Sequence, residues 1–211
     1  MAAFLVSIDP LTDSNCYLME EEGHVLIIDP NRKEKITEIV KEHQWIIDYV
    51  ILTHEHCDHM QGLNDLRENY KFPVIAQEKC SENLGNRVKN MSAMMGTYLY
   101  FKNREKEIIS YPPFVCEPAE ITFDNIYEFM WKGHKFQLRS VPGHTAGSIS
   151  VFMDEIYLFS GDYLLPSGED STIFPGGSKE DYETYAKPWM QSLKEGLHIY
   201  PGHGEDYILT K

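Results

Sequence analysis

No stretch of this chain approaches the roughly 20 consecutive apolar residues that a membrane-spanning helix requires. The opening Met1-Ala2-Ala3-Phe4-Leu5-Val6 has neither the basic head nor the length of a signal peptide. These two absences predict a cytoplasmic protein with no membrane partner. Basic residues are also scarce: 19 Lys and Arg stand against 33 Asp and Glu, a formal charge of −14. Such a surface repels phosphate backbones, so nucleic acid is excluded as a partner and a small-molecule substrate is favoured. Cysteine is limited to Cys16, Cys57, Cys80 and Cys116, too widely spaced for a disulfide framework and expected to be reduced thiols. Linkers, internal repeats and low-complexity tracts are missing as well. With 211 residues, 42% of them apolar, the chain is long enough to bury a core as one domain.

What the chain does have is histidine in company. The segment Thr53-His54-Glu55-His56-Cys57-Asp58-His59 follows the apolar run Tyr49–Leu52 and reads as a strand that delivers ligands into a loop. Alternate side chains of such a loop can converge on one ion and their neighbours on a second. Alternation points Cys57 away from the ions. Imidazole and carboxylate together suit zinc, with iron or manganese as alternatives, better than calcium or magnesium. Three further loops repeat the device: Pro142-Gly143-His144-Thr145, Gly161-Asp162 and Pro201-Gly202-His203-Gly204 each close a short apolar run. Any one of them is an ordinary turn by itself. Together they place five of the nine histidines in metal-type motifs, while His24, His43, His134 and His198 lack companions and read as surface or structural residues.

The pattern His-x-His-x-Asp-His, followed by His, Asp and His, resembles the metallo-β-lactamase superfamily over nearly the whole chain. Asn15-Cys16-Tyr17-Leu18 with Ile27-Ile28-Asp29-Pro30 looks like its opening hairpin. Leu158–Asp162, Pro175-Gly176-Gly177-Ser178 and Tyr200–Gly204 are similar to its glyoxalase II branch. The resemblance implies an α+β fold, a four-layer αββα sandwich forming a single domain over 1–211, with two metals at one edge of the sheets. It assigns His54, His56 and His144 to the first metal and Asp58, His59 and His203 to the second, with Asp162 bridging. Two ions in that arrangement share an acidified water and polarise a carbonyl. The implied enzyme is a binuclear metallohydrolase in which Asp58 is also catalytic, orienting or carrying a proton.

Within the family, the resemblance favours thioester hydrolysis of the hydroxyacylglutathione hydrolase type. Metallo-β-lactamases proper usually lack the bridging aspartate, so Asp162 argues against antibiotic hydrolysis. Lactonases share the whole ligand set and remain an alternative, as does a persulfide dioxygenase with a single iron. Glutathione-specific members bind the tripeptide with basic and tyrosine residues, partly from a C-terminal helical domain. No such domain is expected after Gly204, and the stretch Tyr163–Phe174 holds no lysine or arginine to meet a glycine carboxylate. Another acyl thioester is therefore as good a candidate as S-lactoylglutathione.

Periodicity predicts strands at Leu5–Ser7, Cys16–Met19, Val25–Ile28, Tyr49–Leu52, Phe72–Ala76, Tyr127–Trp131, Lys135–Val141, Ser148–Met153 and Ile156–Phe159. Helices are predicted at Glu34–Glu42, Met60–Asn69 and Glu180–Leu193. The region of about 81–120 is longer than the compact glyoxalase II pattern and predicts an inserted helical segment rich in methionine and aromatics. It is expected to serve as extra core packing, as a lid over the metals, or as a homodimer face. Met94 and Tyr98 within it, and Tyr163 beside Asp162, are the candidate substrate contacts.

Overall fold

The N-terminal apolar residues alternate along their strands, and the alternation sorts them onto two faces of one sheet. Cys16, Leu18, Val25, Ile27, Val50 and Leu52 fall on one side. Tyr17, Met19, Leu26, Ile28 and Ile51 fall on the other. A strand buried on both faces needs a layer above and a layer below, and that requirement generates the architecture. The computed structural model describes residues 4–104, 108–168 and 172–210. Its first sheet orders β1 (Phe4–Ile8), β2 (Asn15–Glu21), β3 (His24–Ile28), β4 (Ile46–Ile51), β5 (Val74–Gln77) and β6 (Ile121–Phe123) sequentially. The second orders β12 (Tyr207–Ile208), β11 (His198–Pro201), β10 (Tyr157–Gly161), β9 (Ile149–Met153), β8 (His134–Ser140) and β7 (Ile126–Trp131).

The sheets face one another through Tyr17, Leu26, Ile28, Ile51 and Ile75 against Phe136, Leu138, Val151, Phe159 and Tyr200. Burial of each such side chain contributes about 1.5–3 kcal/mol. Helices α1 (Lys35–His43), α3 (Leu63–Asn69) and α4 (Glu78–Leu84) cover the outer face of the first sheet with Ile36, Val40, Leu63, Leu66 and Leu84. A C-terminal helical run covers the second with Ala186, Trp189 and Leu193. The result is an αββα sandwich in a single domain. No helix among the described residues is long and apolar enough to cross a membrane.

Several elements depart from the periodicity. The helix expected over Met60–Asn69 is two, α2 (Cys57–Met60) and α3, because Gly62 packs directly on the backbone of Pro30 and Arg32. Its N–H donates to Pro30 O at 2.7 Å, and a Cβ there would lie 2.6 Å from Arg32 O. The last helix is α6 (Lys179–Asp181), a π-turn over Tyr182–Ala186 and α7 (Lys187–Ser192). Pro188 explains the break, since its ring would collide with the carbonyl of Thr184 in a regular α-turn. Strand β12 has only two residues, too few to display a period.

The 81–120 region contributes the end of α4 and one further helix, α5 (Met95–Lys102), with irregular chain around them. Met91, Met95, Leu99 and Tyr111 bury their side chains together with Cys57. Buried Asn90 pins the segment, donating to Leu84 O at 3.2 Å and Phe114 O at 3.0 Å while its own carbonyl accepts from Cys57 N at 2.8 Å. The insertion is thereby fastened to the loop that carries the first histidines.

Candidate metal centre

Strands β3 and β4 run parallel, as do β10 and β11, so each pair opens its C-terminal ends on one edge of its sheet; the bridge between Ser14 and His203, with Asn15 N donating to Gly202 O at 2.7 Å, brings the two edges together. The loop after β4 is held at its start by Asp29, which follows β3. Asp29 accepts from Thr53 N at 2.7 Å, Thr53 Oγ1 at 2.6 Å and His59 Nδ1 at 3.0 Å. Because the Thr53 hydroxyl donates to Asp29, it accepts from Nδ1 of His54 at 3.0 Å. His54 and His59 therefore carry their protons on Nδ1 and aim the Nε2 lone pairs inward. His56 is oriented the other way: its Nε2 donates to Pro175 O at 2.9 Å, leaving Nδ1 to face the site.

These lone pairs meet in two groups. His54, His56 and His144 form one and Asp58, His59 and His203 the other, with donor atoms within 4.8 Å of one another in each. His144 Nε2 lies 3.0 Å from His56 Nδ1, and His59 Nε2 lies 3.4 Å from His203 Nε2. Asp162 stands between the groups. Its Oδ1 is 3.2 Å from His59 Nε2, and its Oδ2 is 3.4 Å from His144 Nε2, 3.6 Å from His203 Nε2 and 4.0 Å from His54 Nε2. All seven residues expected as ligands are thus brought together.

Electrostatics gives the cluster the character of a cation site. Burial, reinforced by His59, holds His54 well below the usual imidazole range, and burial with His144 brings His56 down to about 4, so both are neutral imidazoles at pH 7, the form a metal ion accepts. Burial also disfavours charge on His59, but Asp162 and Asp58 outweigh it and hold that residue well above the usual value. Asp162 stays ionised although buried, because His203, His59 and His144 surround it. Carboxylates that favour a proton on His59 favour a metal cation in the same place. Among the described residues, buried His54 Nε2 has no hydrogen-bond partner, and Asp162 Oδ1 has none of good geometry although His59 Nε2 lies 3.2 Å away, the state expected of atoms that face a metal. The residues fit a pair of divalent ions.

Neighbouring loops fix the ligands in turn. Asn15 Nδ2 donates to Pro201 O at 3.0 Å and Gly204 O at 2.8 Å, and Tyr17 Oη donates to Pro201 O at 2.6 Å, which clamps the His203 loop on both sides. Glu55 is fully buried between the ligand loops, accepting from Asn83 Nδ2 at 2.8 Å and Thr145 Oγ1 at 2.7 Å. Gly202 sits against Asp162 Oδ1 so closely that a Cβ has no room, and that Cβ would also lie 2.9 Å from His59 Cε1. Gly202→Ala is therefore expected to shift Asp162 and weaken metal retention by about tenfold or more, within the range for altered supporting groups. Chelator competition against wild type checks it.

A cleft of about 590 Å³ opens above the cluster, lined by His56, Asp58, His144, Asp162 and His203 at its floor and by Met91, Tyr98 and Phe174 on its wall. Tyr98, one of the three candidate substrate contacts, lines this cleft. Met94 does not line it: this residue, just before α5, is 48% exposed, while Met91 in the preceding turn and Tyr98 on α5 face the cleft. Tyr163 is a second correction. The bend after β10, where Gly161 takes a positive φ, sends it into the outer layer beside Ala186 and Trp189, and there its hydroxyl accepts from His144 N at 2.7 Å and donates to Val141 O at 2.9 Å. It shapes the His144 turn from behind. Asp29, Glu55 and Asn15 were not singled out by sequence reasoning, since each acts through contacts distant along the chain.

Residues 9–203 match the family model of the metallo-β-lactamase superfamily, and the chain belongs to that superfamily. It is 27% identical over 201 residues to a probable metallo-hydrolase of Streptococcus pyogenes, covering 94% of this chain and 82% of the relative. It is 28% identical over 214 residues to a hydroxyacylglutathione hydrolase of Klebsiella pneumoniae, covering 98% and 67%. The fold matches the crystal structure of the BLEG-1 B3 metallo-β-lactamase with a TM-score of 0.81 at 23% identity, covering 99% of this chain and 94% of the other.

Proposed function

We propose that this protein is a cytoplasmic binuclear metallohydrolase that cleaves a small acyl substrate, with a thioester as the preferred bond and zinc as the preferred metal. The observation that carries the reading is Asp162, whose two oxygens reach toward both histidine groups from between them. When bound, the two ions supply Lewis acidity and an acidified water. The protein supplies the rest. Asp58 lies at the cleft floor, 12% exposed at its side chain and 3.5 Å from His203 Nε2; in this reading it holds or passes a proton. His54, His56 and His59 are locked in orientation by Thr53, Pro175 and Asp29, so little reorganisation accompanies the reaction. The apolar wall of Met91, Tyr98 and Phe174 excludes water from one side of the substrate.

Elemental analysis is expected to give two ions per chain, and a panel of thioesters, lactones, β-lactams and persulfides is expected to show thioester turnover exceeding β-lactam turnover by orders of magnitude. A good lactone substrate beside inert thioesters would transfer the assignment to the lactonases. One tightly held iron with persulfide oxidation would transfer it to the dioxygenases.

A further inference from the structure

The cleft is short of positive side chains, apart from one. Its lining includes the carboxylates Asp13, Asp58 and Asp162, and the sole lysine or arginine among the described lining residues is Lys102. That lysine is the last residue of α5, one helical turn after Tyr98, so both side chains lie on the face turned to the cleft. The ammonium is fixed by the loop between β1 and β2, donating to Thr12 O at 2.7 Å and Asp13 Oδ2 at 2.9 Å. A lysine has three N–H donors, and these two acceptors leave one for a ligand. Lys102 is 31% exposed at its side chain and Asp13 68%, so water screens the carboxylate more than the ammonium.

Between Lys102 and the metal ligands runs an apolar path. Phe174 stands edge-on to His56 at 6.4 Å, and Tyr98 stands edge-on to Phe174 at 5.5 Å. Met91, Leu165 and Ile173 complete the wall. The Tyr98 hydroxyl has no hydrogen-bond partner among the described residues, and burial followed by the fields of Asp58, Asp162 and Asp13 keeps it protonated. It is a neutral donor midway along the path. A molecule laid there meets metal ligands at one end, an apolar middle and a fixed cation at the other.

We propose that Lys102 makes the cleft selective for acyl substrates with an apolar body and an oxyanion, carboxylate or phosphate, at the end remote from the scissile bond. The inference rests on the acyl-hydrolase reading above and names its substrate class. It also supplies, from the insertion, the cation that Tyr163–Phe174 does not provide.

The test uses the metal-loaded protein with matched thioesters whose acyl chains end in a carboxylate, a phosphate or a methyl group. Wild type is expected to favour one of the anionic ends by about tenfold in kcat/KM, mainly through KM, the size of one hydrogen bond to a charged group. The better of the two anions identifies the source. In Lys102→Gln the ratio of anionic to methyl-ended turnover is expected to fall to near one, and in Lys102→Arg to be largely kept. Lys79→Gln, which removes an exposed lysine paired with Glu82, controls for overall charge. Asp13→Asn is expected to raise the ratio, because it removes a like charge that competes for the ammonium.

The opposite signs decide the matter. If Lys102 only ties α5 to the β1–β2 loop, Lys102→Gln and Asp13→Asn lower all three substrates together, and the proposal is overturned. It is overturned equally by an anionic preference that survives Lys102→Gln, which would place the anion on the metals. Calorimetry with thioether analogues bearing the same three ends reads the preference without turnover. Lys102-dependent binding beside inert thioesters would sink thioester hydrolysis and uphold the anion site, whereas turnover indifferent to the end group would sink the anion site alone.

Discussion

Asp162→Ala is expected to lose metal and activity together, with kcat/KM falling by well over 100-fold. Outer partners of metal ligands already cost 10–100-fold when removed, and among the described residues Asp162 is the one side chain whose oxygens reach members of both histidine groups. Without it, two like-charged ions lose the carboxylate between them, and the mutual repulsion favours release of one. Elemental analysis should then report fewer than two ions per chain. His24→Ala serves as the control, because His24 is paired with Asp48 at 2.9 Å on β3 and β4 and belongs to neither metal group. Equal metal content and turnover in the two variants would mean that Asp162 is not a ligand.

The clustering of His54, His56, Asp58, His59, His144, Asp162 and His203 was legible in the sequence because each sits on a strand-end loop beside glycine, proline or another member of the set, so local pattern carries the information. The sandwich was implied by the family resemblance, and the uninterrupted apolar runs Cys16–Met19 and Val25–Ile28 agree with it, because a strand buried on both faces has no polar side to show. What failed to show was anything fixed by distance. Asp29 reaches His59 thirty positions on, and Asn15 reaches Gly204 from the other end of the chain. Tyr163 was misread because adjacency to Asp162 suggested a shared environment, whereas the bend after β10 turns the two side chains apart. Met94 was misread because a cluster of methionines does not reveal its helical phase. Lys102 passed unnoticed for the converse reason, since nothing local distinguishes a lysine that faces a cleft from one that faces water.

Asp29 carries the second large expected effect, through a proton rather than a bond to metal. Its Oδ2 accepts from His59 Nδ1 and Thr53 Oγ1, and its Oδ1 accepts from Thr53 N. Asp29→Asn keeps the shape but replaces one acceptor with an amide donor. If the amide NH₂ faces His59, that imidazole must accept on Nδ1 and carry its proton on Nε2, the atom turned toward Asp162 and His203. If it faces the Thr53 N–H instead, two donors oppose each other in a buried place, a cost of about 1–3 kcal/mol in stability. Either arrangement spoils the site. The metal held by Asp58, His59 and His203 is expected to bind 10–100-fold more weakly, while the ion held by His54, His56 and His144 is less affected, since Asp29 reaches that group only indirectly, through the Thr53 hydroxyl that it orients and that accepts from His54. Stepwise chelator titration should therefore separate two affinities that lie closer together in wild type, and nitrogen NMR of the histidines should show whether the His59 proton has moved to Nε2. Retention of both ions at wild-type affinity with the proton still on Nδ1 would mean that the protein scaffold, rather than the Asp29 carboxylate, sets the orientation of His59.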